Sequence, residues 1–108
     1  MKRKIVGLML LLAVIAAGCS AKASDDFARC LSEKGAVMYG TEWCSHCQEQ
    51  KARFGKSFSF VEYVDCDKNR EECLEKGIRG YPTWIINGER YSGVQSLKKL
   101  SELTSCPR

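Results

Sequence analysis

YGTEWCSHCQEQK, Tyr39 to Lys51, holds Cys44 and Cys47 three residues apart, Trp43 just before them, and between them His46, the sole histidine of the chain. Before it, "AVMYG" is a short apolar run bounded by glycines and reads as a buried strand. After it, "CSHCQEQKARF" carries good helix formers as far as Gly55. The cysteine pair therefore falls where a strand gives way to a helix. At that spacing both thiols lie on one helix face and can close a small ring. Cys44 sits at the helix N-terminus, where unpaired N–H groups and the helix dipole favour a thiolate. A redox couple is the reading this favours. A structural disulfide leaves Trp43 and His46 without a role. Zinc needs four ligands, usually as two close pairs, and Cys66 and Cys73 are too far apart to form the second. Covalent haem needs a histidine directly after the second cysteine, where Gln48 stands. We expect no metal, and no cofactor, because the cysteines carry the electrons.

Outward from this stretch, the remaining elements follow from periodicity and punctuation. Phe27, Cys30, Leu31 and Lys34 fall at helical spacing, with Ser24 or Asp25 as N-cap and Gly35 as the stop. "FSFVEYVD", Phe58 to Asp65, alternates and reads as a second strand. "EECLEK" reads as a short helix ended by Gly77. "TWIINGERYSG" places two β-rich runs around Asn87-Gly88, a pair preferred in two-residue hairpin turns. Val94, Leu97, Leu100 and Leu103 recur every third residue and give a last helix one apolar face. Strands separated by helices imply a parallel pair, and the hairpin adds an antiparallel one. The expected fold class is α/β: a four-stranded mixed sheet flanked by helices.

The N-terminus reads as an export signal. "MKRK" is basic, Ile5–Ala17 is apolar but short of the roughly 20 residues a spanning helix needs, and small residues follow. "AAGC", Ala16 to Cys19, resembles a bacterial lipoprotein box that would make Cys19 a lipidated first residue. "AKA", Ala21 to Ala23, is the competing cleavage site. The expected organisation is a signal over residues 1–18, a tether over 19–25 and one domain over 26–108. Localisation is then outside the cytoplasm, on the periplasmic or cell-surface side, with lipid as the only membrane anchor.

The formal charge of the 108-residue chain is +4. Lys2, Arg3 and Lys4 belong to the signal, so the rest is close to neutral. That gives no electrostatic case for nucleic acid or an anionic membrane surface. Of seven cysteines, setting Cys19 aside leaves an even set, which in a small exported domain reads as disulfides. Six cysteines leave fifteen possible pairings; Cys66 with Cys73 would close a loop of about 8 residues, worth roughly 2–3 kcal/mol by loop entropy. Cys30 with Cys106 joins the first and last helices across a long loop, nominally above about 4 kcal/mol. Both pairs read as structural, with an electron relay to Cys44 and Cys47 as the rival role for Cys66 and Cys73.

"EWCSHC" followed by "GIRGYPTW", Gly77 to Trp84, resembles the thioredoxin-fold oxidoreductases. The resemblance implies that Tyr81-Pro82 is a cis bond in a loop facing the Cys44 helix. It also implies that Tyr81, Pro82 and Thr83 bind the substrate chain. Over nearly the whole chain after the signal, the sequence is similar to the thioredoxin-like domain fused to bacterial vitamin K epoxide reductase homologues. Three positions depart or matter. Ser45 stands where C-P-H-C members carry proline, so a pre-set first helical turn is lost. His46 is kept, and its imidazolium would favour the Cys44 thiolate. Met38 stands where thioredoxins carry a buried acid, which leaves Glu42 or water as proton acceptor for Cys47.

The function this implies is exchange of disulfides with cysteine-containing exported proteins. Cys44 would attack, Cys47 would resolve, and Trp43 would shield and dock the substrate. The expected direction is disulfide donation, with a reductant or isomerase as alternative, and a redox-silent binding module as the other class. The expected electron partner is a membrane quinone-linked disulfide-forming enzyme or a membrane reductant.

Overall fold

The computed structural model describes residues 21–108. The expected signal and Cys19 lie outside them. Helix α1 (Asp25–Glu33) begins at Ser24, whose hydroxyl accepts a hydrogen bond from the Phe27 N–H, with Asp25 and Asp26 in the first turn. Both features satisfy or complement the free N–H groups of a helix start. Its buried residues are Phe27, Ala28 and Leu31. Strand β1 (Val37–Gly40) follows, then helix α2 (Ser45–Phe54).

Next comes a 3-10 helix over Gly55–Phe60, before strand β2 (Glu62–Asp65). The expected strand from Phe58 is thus half turn. The alternation of Phe58 and Phe60 is real, but local bonds win over a ladder. Ser57 Oγ donates to Phe54 O at 2.8 Å and Ser59 Oγ to Lys56 O at 3.2 Å. Serine hydroxyls that bond nearby carbonyls favour turns over strands. The Phe58 ring meets the Phe54 and Tyr63 rings edge-on, at 5.8 and 5.6 Å. The turn is what brings them together.

Helix α3 (Arg70–Glu75) leads to strands β3 (Thr83–Ile86) and β4 (Glu89–Ser92). They are joined at Asn87 and Gly88, with φ of 52° and 81°. Positive φ at both positions matches the right-handed strand twist, which is why this pair is chosen there. Helix α4 (Leu97–Thr104) closes the chain. Val94, expected on its face, lies before its start. Ser96 takes the N-cap by accepting from the Lys99 N–H at 3.0 Å, and so fixes the first turn.

The sheet order is β2-β1-β3-β4. β1 and β2 are parallel, and the other two pairings are antiparallel. Alternate residues of a strand face opposite sides. One face sends Met38, Trp84 and Ile86 into the main core with Phe27, Leu31, Cys47, Phe54 and Leu100. Tyr39 packs in a second cluster with Cys66, Cys73 and Ile78. The sheet is therefore covered by helices on both sides. No described helix is long and apolar enough to cross a membrane.

Candidate active site

Cys44 is the N-cap of α2, and its Sγ accepts a hydrogen bond from the Cys47 N–H at 3.3 Å. Its thiol also points at the Tyr81 carbonyl, 3.6 Å away. The Tyr81–Pro82 bond is cis. Thr83 donates its hydroxyl to Gly80 O at 2.7 Å, inside the same loop. This loop and the start of α2 thus face each other across the Cys44 sulfur. Cys44 is 9% exposed and Cys47 is fully buried, so Cys44 is the outer sulfur.

Trp43 is 69% exposed beside this sulfur. It is not loose. Its Nε1 donates to Asp67 at 2.8 Å, and its ring meets Tyr81 edge-on at 6.1 Å. Ser45 opens the helix as an exposed residue. His46 is exposed too, with Nδ1 3.6 Å from a Glu49 carboxylate oxygen. The imidazole that the sequence offers to Cys44 therefore lies against Glu49.

Cys47 is held more tightly. Burial pushes its thiol up to about 11, while a Thr41 backbone hydrogen bond and the Lys51 charge act the other way. Space for its sulfur comes from Gly40: a Cβ there would stand 2.7 Å from Cys47 Sγ and 3.5 Å from Tyr63 Cε1. Met38 is fully buried opposite Trp84, so the apolar core fills that position. Glu42, a candidate proton acceptor, receives hydrogen bonds from Lys51 Nζ at 2.7 Å and Tyr63 OH at 2.8 Å. These two bonds hold its carboxyl below the usual range. Thr41 Oγ1 is buried with no hydrogen-bond partner among the described residues.

The other described cysteines do not join the site. Cys30 is bonded to Cys106 and Cys66 to Cys73. Among the described residues Cys44 and Cys47 are the free cysteines, and no group of three His, Cys, Asp or Glu is placed to hold a metal. Sequence reasoning missed Gly40, Lys51, Tyr63 and Asp67. Gly40 looked like a strand boundary. The other three are distant in sequence from their partners or ordinary as helix residues, and no local pattern marks them.

A family model described as Thioredoxin matches residues 20–106. The chain belongs to the thioredoxin family. Among curated relatives of this thioredoxin-family chain is the thiol-disulfide oxidoreductase LTO1 of Arabidopsis thaliana. It is 42% identical over 71% of this chain and 23% of the relative. A protein disulfide-isomerase of Aspergillus niger is 30% identical, over 68% of this chain and 15% of the relative. The chain thus spans under a quarter of these two relatives. A mutant thioredoxin from Halobacterium salinarum shares the fold, with a TM-score of 0.50 at 21% identity over 79% of this chain and 85% of the other. A second solved structure, titled only as a malarial protein, has a TM-score of 0.54 at 21% identity, over 65% and 91% of the two chains.

Proposed function

We propose that this protein is an exported thiol–disulfide oxidoreductase that exchanges disulfides with cysteine-containing proteins, in the donor direction. One observation carries the reading. Among the described residues the two free cysteines stand at the start of α2, the outer one against the Tyr81 carbonyl, while four others are locked in disulfides. A substrate thiolate attacks Cys44 Sγ in the oxidised protein, and the Cys44–Cys47 bond breaks. Cys47 leaves with the electron pair and takes up a proton. A second substrate thiolate then displaces Cys44 from the mixed disulfide, so the substrate leaves oxidised and the protein reduced. Tyr81, Pro82 and Thr83 present backbone to the substrate chain, and Trp43 covers it. Recharging falls to a quinone-linked membrane enzyme. The resemblance to the domain fused to vitamin K epoxide reductase homologues supports that partner, and the leader with Cys19 supports a lipid anchor.

A reductant or isomerase is the second reading, favoured by the isomerase names among the relatives. Equilibration of the Cys44 and Cys47 pair against glutathione buffers separates the two. A potential near about −120 mV marks a donor, and one near about −270 mV marks a reductant. Insulin reduction tests exchange itself. We expect wild-type activity above the dithiothreitol background and none in Cys44→Ser. Equal traces for both would leave a redox-silent binding module.

A further inference from the structure

Cys47 must carry a negative charge each time the ring opens or closes, yet it is the most deeply placed thiol of the site. The nearest fixed cation on its own helix is Lys51, one turn on. That side chain is only 19% exposed, which is low for a lysine. Three contacts hold it there. Its Nζ lies 2.7 Å from Glu42 Oε2, 4.4 Å from the centre of the Tyr63 ring and 5.5 Å from that of Phe58. Tyr63 is shared: its hydroxyl binds the same Glu42 oxygen, and its ring edge borders the Gly40 gap into which Cys47 Sγ projects. Its Glu42 end is exposed, but through Tyr63 the clamp reaches the sulfur side of α2.

We propose that Lys51, clamped by Glu42 and seated on Tyr63, is a positioning residue that stabilises the Cys47 thiolate during disulfide exchange. The proposal rests on the reading that Cys44 and Cys47 exchange disulfides, in either direction. In ring closure, Cys47 gives its proton to solvent and its thiolate attacks Cys44 Sγ. The bond between Cys44 and the bound thiol breaks, and that thiol leaves with the electron pair. In ring opening, Cys47 is the leaving thiolate. An ammonium held nearby favours the charged sulfur in both. Burial raises the Cys47 thiol, and Lys51 opposes it. Cys44, the α2 cap, and Lys51 of α2 act directly on the Cys47 thiol; Tyr63 of β2 feels that thiol and has Glu42 and Asp65 beside its own hydroxyl, and Tyr81 lies across the Cys44 sulfur. Met38, fully buried in β1, supplies no charge.

The reaction of reduced protein with dithiobis(nitrobenzoate) tests this. The reagent's first thiolate is released when Cys44 attacks, and its second when Cys47 closes the ring. Lys51→Met keeps the stem over the rings but removes the charge. We expect the second release to slow about tenfold near neutral pH, and its pH midpoint to rise by about one unit. Lys51→Arg restores both. Glu42→Gln leaves Lys51 without its counter-charge and moves the midpoint down. A clamp that merely holds the fold together would move both variants the same way. Ultraviolet titration of the thiolates reads the same midpoints independently. A second release in Lys51→Met within twofold of wild type, with an unmoved midpoint, overturns the proposal. No ring closure in any protein, wild type included, would instead overturn the exchange reading beneath it.

Discussion

Burial of Cys47 beside Gly40 governs how this thiol answers to pH. Its ordinary value is about 8.5, and in the folded reduced protein burial pushes it up to about 11. The fold prefers the protonated form. That preference is fully present below about pH 8.5 and is lost as pH rises through about 11. The melting temperature of the reduced protein should therefore fall more steeply across this window than that of Cys47→Ser. Parallel slopes would show that the thiol is not held neutral by the fold. Gly40 is the companion test. A methyl group there meets the buried sulfur at 2.7 Å, so Gly40→Ala should cost about 1–3 kcal/mol as an overpacked contact. Urea unfolding of the reduced protein measures it.

At the scale of elements, Gln50 joins three segments that have no sequence relation. It is fully buried on α2. Its Oε1 accepts from Trp84 Nε1 of β3 at 2.9 Å and from the Gln95 N–H at 2.7 Å, while its Nε2 donates to Gln95 O at 3.0 Å. Gln50→Leu has nearly the same size but leaves those groups without partners. Orphaned buried polar groups cost about 1–3 kcal/mol each, so we expect roughly 3 kcal/mol of lost stability by denaturant unfolding. A loss under about 1 kcal/mol would mean that water enters and replaces the amide. The redox helix is thus pinned at its middle by a polar contact and at its start by the Cys44 cap.

At the scale of the whole molecule, two disulfides among the described residues constrain loops of very different size. Cys30 and Cys106 are 76 residues apart and tie α1 to the end of α4, whereas Cys66 and Cys73 are 7 apart and tie β2 to α3. Loop entropy assigns about 4.5 kcal/mol to the first and about 2.5 kcal/mol to the second. Paired serine substitutions should follow that order in unfolding free energy. Insulin turnover in the Cys66→Ser, Cys73→Ser double variant separates a staple from a relay. A staple lowers melting temperature and spares turnover; a relay does the reverse. The segment before α1 also packs on the domain, with the Ala23 N–H on Arg53 O and Lys22 Nζ on Ala52 O, at the far end of α2 from Cys44.

Much of this architecture was legible from local signals. Asn87-Gly88 needs positive φ at two successive residues, so the hairpin could be read directly. Ser24, Gly35 and Gly77 marked helix ends because backbone groups there need caps or left-handed turns. Cys44 and Cys47 declared themselves by spacing at a strand-to-helix junction. Those are short-range constraints, and sequence carries them in full. The 3-10 turn at Gly55–Phe60 was misread because two-residue alternation in aromatics fits a strand until the rings find partners on α2 and β2. Lys51, Tyr63, Glu42 and Asp67 were illegible as a set for the same reason. Each is an ordinary polar or aromatic residue, and only the tertiary fold brings Glu42, Lys51 and Tyr63 together beside Cys47 and sets Asp67 on Trp43.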